Sequence, residues 1–212
     1  MIIYNKNNSG LTSEIINVIH FDNTGSAFIG TTDGLFKFDG ANWIHYTDPL
    51  SRDWIEDFYI ESANKIWLAT KGFGIILFEN GIFTAISKTV YNYPTYSLSS
   101  VAQDQSGNIW FCFLIDSSGR AGISYWNGSS FTNYYPGTYQ NSFRHIFIDD
   151  ENNKWVSTSE GLLLFYPQNS YTIFTKQHYP ITSDLITESV KDLNGNVWIA
   201  TQNGGLNKYK PE

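Results

Sequence analysis

Five residues stand out for the chemistry they could do together: Glu56, Asp57, Arg144, His145 and Glu188. Each lies ten or eleven residues ahead of one of three tryptophans, Trp67, Trp155 and Trp198. Two carboxylates across a cleft, such as Glu56 and Glu188, have the types needed for glycoside hydrolysis. A convergent set of charges in a concave site is also the ordinary form of a small-ligand site. The plainer alternative is a water-filled channel lined by paired charges. A second group is aromatic: Trp54, Tyr91, Tyr93, Tyr96, Tyr135, Tyr139 and Tyr179. Exposed Tyr and Trp offer a flat apolar body with a polar tip, which suits a sugar ring or a protein partner. Their alternative is to fold back onto strand edges. The candidate ligand-binding set is Trp54, Glu56, Asp57, Tyr96, Tyr139, Arg144, His145 and Glu188.

Other chemistries lack their residues. His20, His45, His145 and His178 lie in different segments without metal-ligand spacing, so neither a metal nor any other cofactor is expected. Cys112 sits in the apolar stretch 109–115 with no base beside it, which reads as a small buried hydrophobe. No phosphate loop, Ser-His-Asp arrangement or dinucleotide fingerprint occurs. No catalytic residue is assigned, and the chain is expected not to be an enzyme.

The elements that must position these residues follow from an internal repeat. Five anchors, Phe28, Trp67, Trp110, Trp155 and Trp198, are spaced 39, 43, 45 and 43 residues apart. Six residues before each stands an acid: Asp22, Glu61, Asp104, Asp149 and Asp192. Three residues before each stands Gly25, Asn64, Gly107, Asn152 or Gly195. Gly and Asn accept positive φ, so acid and Gly or Asn between apolar runs predict a tight hairpin turn, with the acid capping it. Each anchor opens a short strand alternating large and small residues, such as Trp198-Ile199-Ala200-Thr201. A glycine loop, a third strand, a second hairpin such as Asp39-Gly40-Ala41-Asn42, and a fourth strand with aromatic or apolar residues follow.

Four short antiparallel strands in roughly 42 residues match one propeller blade. The fold class is therefore all-β: a five-bladed β-propeller of four-stranded antiparallel blades. The chain is expected to be a single domain, with blades at about 12–46, 51–86, 97–134, 142–174 and 183–212 plus 1–5. The last repeat stops after its third strand. Tyr4 precedes Phe28 by 24 residues, the register of a fourth strand. Residues 1–5 are thus predicted to pair with 205–210 and close the ring, which would remove an exposed sheet edge.

Composition agrees with a packed β domain. Of 212 residues, 17% are aromatic and only 16% charged, the reverse of a disordered chain. The net charge of −7 gives none of the basic footprint of a nucleic-acid binder, and none is expected as partner. No apolar run approaches the roughly 20 residues of a membrane helix, so no membrane insertion is expected. Residues 1–5 lack the basic and apolar parts of a signal peptide; the chain is either cytoplasmic or has lost a leader.

The pattern Asp-x-x-Gly-Asn-Ile-Trp-(Ile/Leu)-(Ala/Gly)-Thr-x-x-Gly-Leu resembles the two-component regulator propeller repeat. Residues 192–206 match with one extra loop residue, 22–35 match except for Phe28, and 149–162 carry Asn152 for Gly. Residues 61–75 are looser, and 104–123 depart most, with Phe113 for Thr and an inserted loop, 114–121. The resemblance implies the sensor part of a bacterial signalling system, periplasmic or extracellular, often serving glycan use. The expected partner is a glycan or small polar ligand, with a protein partner as the alternative. A streptogramin-lyase propeller is similar too, but its His/Glu constellation has no counterpart here.

Overall fold

The computed structural model describes residues 1–48, 50, 54–62, 64–137 and 142–210. Tyr139, a candidate ligand-binding residue, lies outside the described residues. Apart from one helical turn, α1 (Lys88–Tyr91), the described elements are all strands. The first sheet holds β1 (Ile16–Phe21), β2 (Ala27–Thr31), β3 (Gly34–Phe38) and β4 (Trp43–His45). The second holds β5 (Ile55–Ser62), β6 (Lys65–Thr70), β7 (Ile75–Glu79) and β8 (Ile82–Ala85). The third holds β9 (Leu98–Gln103), β10 (Ile109–Phe113), β11 (Gly122–Trp126) and β12 (Phe131–Tyr134). The fourth holds β13 (Phe143–Ile148), β14 (Lys154–Thr158), β15 (Gly161–Phe165) and β16 (Tyr171–Phe174). The fifth has three strands, β17 (Ile186–Lys191), β18 (Val197–Thr201) and β19 (Gly205–Tyr209). Strands neighbour one another in chain order within every sheet. This is consistent with propeller blades. The chain divides into two compact units, Met1–Asn92 with Tyr96–Val101, and Tyr93–Thr95 with Ala102–Glu212.

The acid of each repeat does two jobs. In Asp22, Asp104, Asp149 and Asp192 one oxygen accepts the backbone N–H groups two and four residues on, at 2.9–3.0 Å. The turn residue Gly25, Gly107 or Gly195 has φ of 81–85°, and Asn152 has 63°. The other oxygen of Asp104, Asp149 and Asp192, and a carboxylate oxygen of Glu61, accepts the indole N–H of its own anchor at 2.7–2.8 Å. Phe28 has no such donor, and there Asp22 takes the Lys37 ammonium instead, at 3.1 Å. A charge-assisted bond of this kind is worth about 1.5–3 kcal/mol. It ties turn to strand and explains why acid and tryptophan recur together.

Sheets pack face to face within each unit. In the first, Phe28 and Leu35 lie against Ile55, Phe58 and Ile66. In the second, Trp110 and Ile123 meet Phe143 and Ile146, while Trp155 and Leu162 meet Ile186, Val197 and Ile199. Small residues two positions after each anchor permit this approach: a Cβ on Gly30 would come within 2.6 Å of Val18 and 2.8 Å of Ile55. Repeat-equivalent positions nevertheless differ in exposure. Leu35, Ile75, Ile123 and Leu162 are buried, whereas Leu206 is 62% exposed. Phe58 and Ile146 are buried, whereas Ile19 is exposed.

The described strands give no closed sheet: residues 1–5 make no strand, and β19 pairs with β18 alone. Asn8 donates from its side chain to the Ile3 carbonyl at 2.8 Å, and its backbone donates to the Asn5 carbonyl at 3.2 Å. The register reading does capture one thing: Tyr4 sets its ring against Phe38 and Trp43, as Tyr46 sets its ring against Phe78 and Phe83.

Candidate functional site

In the first unit the structure brings Trp54 and Glu56 together through Lys71. The Lys71 ammonium lies 4.1 Å from the Trp54 ring centre and 3.8 Å from the Glu56 carboxylate. Trp54 remains 39% exposed, a flat plate with charge at its edge. Tyr96 is also exposed, with Lys88 over its ring at 5.7 Å. Asp57 does not open to solvent. It is buried, accepting the Ser100 hydroxyl at 2.6 Å and the Val101 N–H at 2.9 Å. Its carboxylate links β5 to β9 and is a structural staple.

In the second unit Arg144 and His145 lie half-buried on β13, and Glu188 is exposed on β17. His145 Nδ1 is buried without a hydrogen-bond partner. Of the other loop aromatics, Tyr93 is buried against Phe131, and Tyr135 packs on Phe113 under the Arg120 guanidinium. Tyr179 lines a small apolar cavity of about 190 Å³ with Phe174, Ile181 and Ile199.

A larger cavity, of about 630 Å³, lies elsewhere in this unit, between the fourth and fifth sheets. Its aromatic walls are Trp155, Tyr166 and Tyr209, and its polar groups include Asp149, Glu151 and Asn194. It opens at the acid-turn hairpins rather than at the loops that carry the predicted aromatics. None of the eight predicted site residues lines it. Sequence reasoning assigned Asp149 and Trp155 to the scaffold, and they do serve it, yet they also present a carboxylate and an indole to the cavity.

Lysines distinguish the repeats. A lysine ammonium lies over four of the five anchors: Lys37 over Phe28 at 4.8 Å, Lys65 over Trp67 at 5.7 Å, Lys154 over Trp110 at 4.6 Å, and Lys208 over Trp198 at 5.0 Å. Three of these lysines also reach the acid paired with the anchor they cover: Lys37 to Asp22, Lys65 to Glu61 and Lys154 to Asp104, at 3.0–3.9 Å. Among the described residues no lysine covers Trp155 or pairs with Asp149. Where Lys154 precedes its anchor, Val197 precedes Trp198. Where Tyr125 faces Trp110 in register, the smaller Leu164 faces Trp155.

Electrostatics at the turns is uniform in direction. Burial pushes Asp22 up, but hydrogen bonds from Thr24, Lys37 and Ser26 outweigh it and hold the carboxyl at about 2. Burial likewise opposes, and hydrogen bonds from Asn and Trp overcome it, at Asp104 and Asp149, which are lowered. At Asp192 the Trp198 indole N–H is the leading cause of the lowering. Lys154 is lowered by burial, against the pull of Asp104 and Asp149. Among the described residues no three His, Cys, Asp or Glu side chains cluster as a metal site, and no helix is long and apolar enough to cross a membrane.

No protein-family model matches the sequence, and no curated protein matches it. Solved structures do resemble it. The extracellular domain of the B. thetaiotaomicron protein BT3049, described as a hybrid two-component system, superposes with a TM-score of 0.74 at 17% identity. That match covers 97% of this chain and 28% of the other, so the chain spans under a third of its length. Virginiamycin B lyase from Staphylococcus aureus gives 0.73 at 14% identity, covering 92% of this chain and 69% of the lyase. YCF48 from Cyanidioschyzon merolae gives 0.59 at 17%, covering 94% and 83%. The extracellular domain of a two-component protein and a lyase thus share one likeness, and what this chain has in common with them is its fold.

Proposed function

We propose that this chain is a non-catalytic binding module of the propeller type, each sheet serving as a blade, that recognises a glycan or other small polar ligand. The carrying observation is the 630 Å³ cavity, where three aromatic side chains face carboxylates and an amide. Flat apolar walls with a few convergent polar groups are the usual make-up of a small-ligand site. The direction of the carboxyl shifts favours binding over hydrolysis. A glycosidase needs one carboxyl raised to act as general acid, and each carboxylate with a resolved shift is lowered. The likeness to the extracellular domain of BT3049 supports a sensor role outside the cytoplasm, within a signalling system. The exposed Trp54 and Tyr96 favour a second reading, a surface for a protein partner.

A thermal-shift screen against oligosaccharides and small polar metabolites tests this. A ligand present at 100 times its dissociation constant adds about 2.7 kcal/mol to the folded state. The expected result is a hit that Tyr166→Ala abolishes. A silent panel, with capture of a protein partner that Trp54→Ala prevents, would replace this reading by the second.

A further inference from the structure

We infer that the outer edge of β19 takes residues 1–5 of a second copy of this chain as the fourth strand of the fifth sheet. The inference does not depend on the ligand cavity. The acceptor lies in the second unit. The fifth sheet holds three strands where each of the others holds four, and among the described strands β19 pairs with β18 alone. In the other sheets one residue of the fourth strand stands opposite the counterpart of Leu206. The Tyr46 and Ile86 backbone N–H groups donate to the Leu35 and Ile75 carbonyls at 3.1 and 2.9 Å. Tyr134 likewise faces Ile123, and Phe174 faces Leu162. Beside the β19 edge lies the apolar cavity of about 190 Å³, lined in part by Asn207 and Tyr209. Their counterparts in the first sheet, Phe36 and Phe38, are covered by the fourth-strand rings of His45 and Trp43, stacked at 4.1 and 4.6 Å. The edge thus offers the two parts of a strand-addition site, main-chain pairing and a pocket for alternate side chains.

The donor lies in the first unit. Met1, Ile2, Ile3 and Tyr4 form an apolar run that is exposed in the chain. Tyr4 stands 24 residues before its anchor, as Ile86 and Phe174 stand before theirs. Its ring lies 5.2 Å from Phe38, as the Phe174 ring lies 5.3 Å from Tyr209. Laid antiparallel on β19 with Tyr4 opposite Leu206, the segment sets Ile3 opposite Asn207 and Met1 opposite Tyr209, on the cavity's face. The sheet faces match as well. Leu206, Ile16 and Ile19 are exposed. Their counterparts pack together in the seams within each unit: Leu35 with Ile55 and Phe58, and Leu162 with Ile186. One docking event therefore covers the edge and buries both faces. Because the segment is exposed in its own chain, a second copy supplies it. Each copy gives and receives a strand, which closes a reciprocal dimer.

Light scattering on the whole chain, over a wide range of concentration, tests this. The expected mass is twice that of one chain. Leu206→Glu places a carboxylate in the apolar joint and should halve the mass, with cooperative unfolding retained. If that variant fails to fold, Ile3→Asp, in a segment that makes no strand, should do the same. Mild oxidation of a mixture of Tyr4→Cys and Leu206→Cys proteins should link two chains by a disulfide, since residues facing across a strand pair lie within its reach. A single-chain mass for the unaltered protein at every concentration would overturn the proposal. So would a dimer that both substitutions leave intact. A double variant, Tyr4→Cys with Leu206→Cys, that cross-links only within one chain would overturn it in favour of the chain's own segment.

Discussion

The seam between the third and fourth sheets and the seam between the fourth and fifth are built from the same parts to opposite ends. In the first, Lys154 lies 3% exposed over Trp110, Tyr125 stacks on that ring at 4.7 Å, and Tyr134 and Phe165 complete a filled seam. In the second, Val197 and Leu164 stand at the corresponding positions, Val197 packs with the buried Trp155, and a cavity lies alongside. Both seams keep the acid–indole bond and the apolar contacts deeper between the sheets. A repeat fold can therefore exchange a lysine and a tyrosine at one of its joints for apolar side chains without touching the turn that holds the acid.

The largest effect should come from removing the ring of the filled seam. Trp110→Ala opens a cavity and strips the cover from a buried ammonium, and is expected to cost about 3–5 kcal/mol. Trp155→Ala removes an equally buried ring but uncovers no ammonium, and should fall toward the low end of that range. Urea unfolding of both variants checks the order, and a larger loss for Trp155 would break the comparison.

Next comes the buried lysine. Lys154→Met should cost about 1–3 kcal/mol, because Asp104 loses its cation yet keeps its hydrogen bonds. The pH dependence follows from the same pair. Asp104 is lowered in the fold, so its stabilisation is present above the unfolded carboxyl pKa of about 3.9 and is lost as pH falls through the lower folded value. Removing Lys154 lets the folded pKa of Asp104 rise. Acid unfolding of Lys154→Met should therefore begin at higher pH than in the unaltered protein, as followed by tryptophan fluorescence. No change in that onset would show that the lysine contributes nothing to the carboxylate.

The smallest effect is a gain. Val197→Lys should raise stability by about 0.5–1 kcal/mol through a new cation–π contact. A drop in melting temperature would mean that the second seam cannot accept what the first contains.

The frame of this molecule was legible because its signals are local. Acid, Gly or Asn and anchor sit within seven residues, and the hydrogen bonds of Asp104 or Asp192 are the bonds that spacing calls for. The five sheets followed from the period. The local bonds of residues 1–5 were not legible: Tyr4 carries the fourth-strand register, yet the Asn8 side chain bonds the Ile3 carbonyl and the segment makes no strand. The site was harder still. Asp57 has the polarity of a ligand contact, and only its partners Ser100 and Val101, more than forty residues on, show it to be a staple. The cavity is walled by Tyr166 and Tyr209 from two repeats, and only the packing of the fourth sheet on the fifth brings them together.

The most direct test of this account is a crystal structure of the protein with a ligand found in the thermal-shift screen. The account predicts that ligand in the cavity between the fourth and fifth sheets, against Tyr166 and Tyr209. A ligand seated only at Trp54 and Tyr96, with that cavity empty, would contradict it.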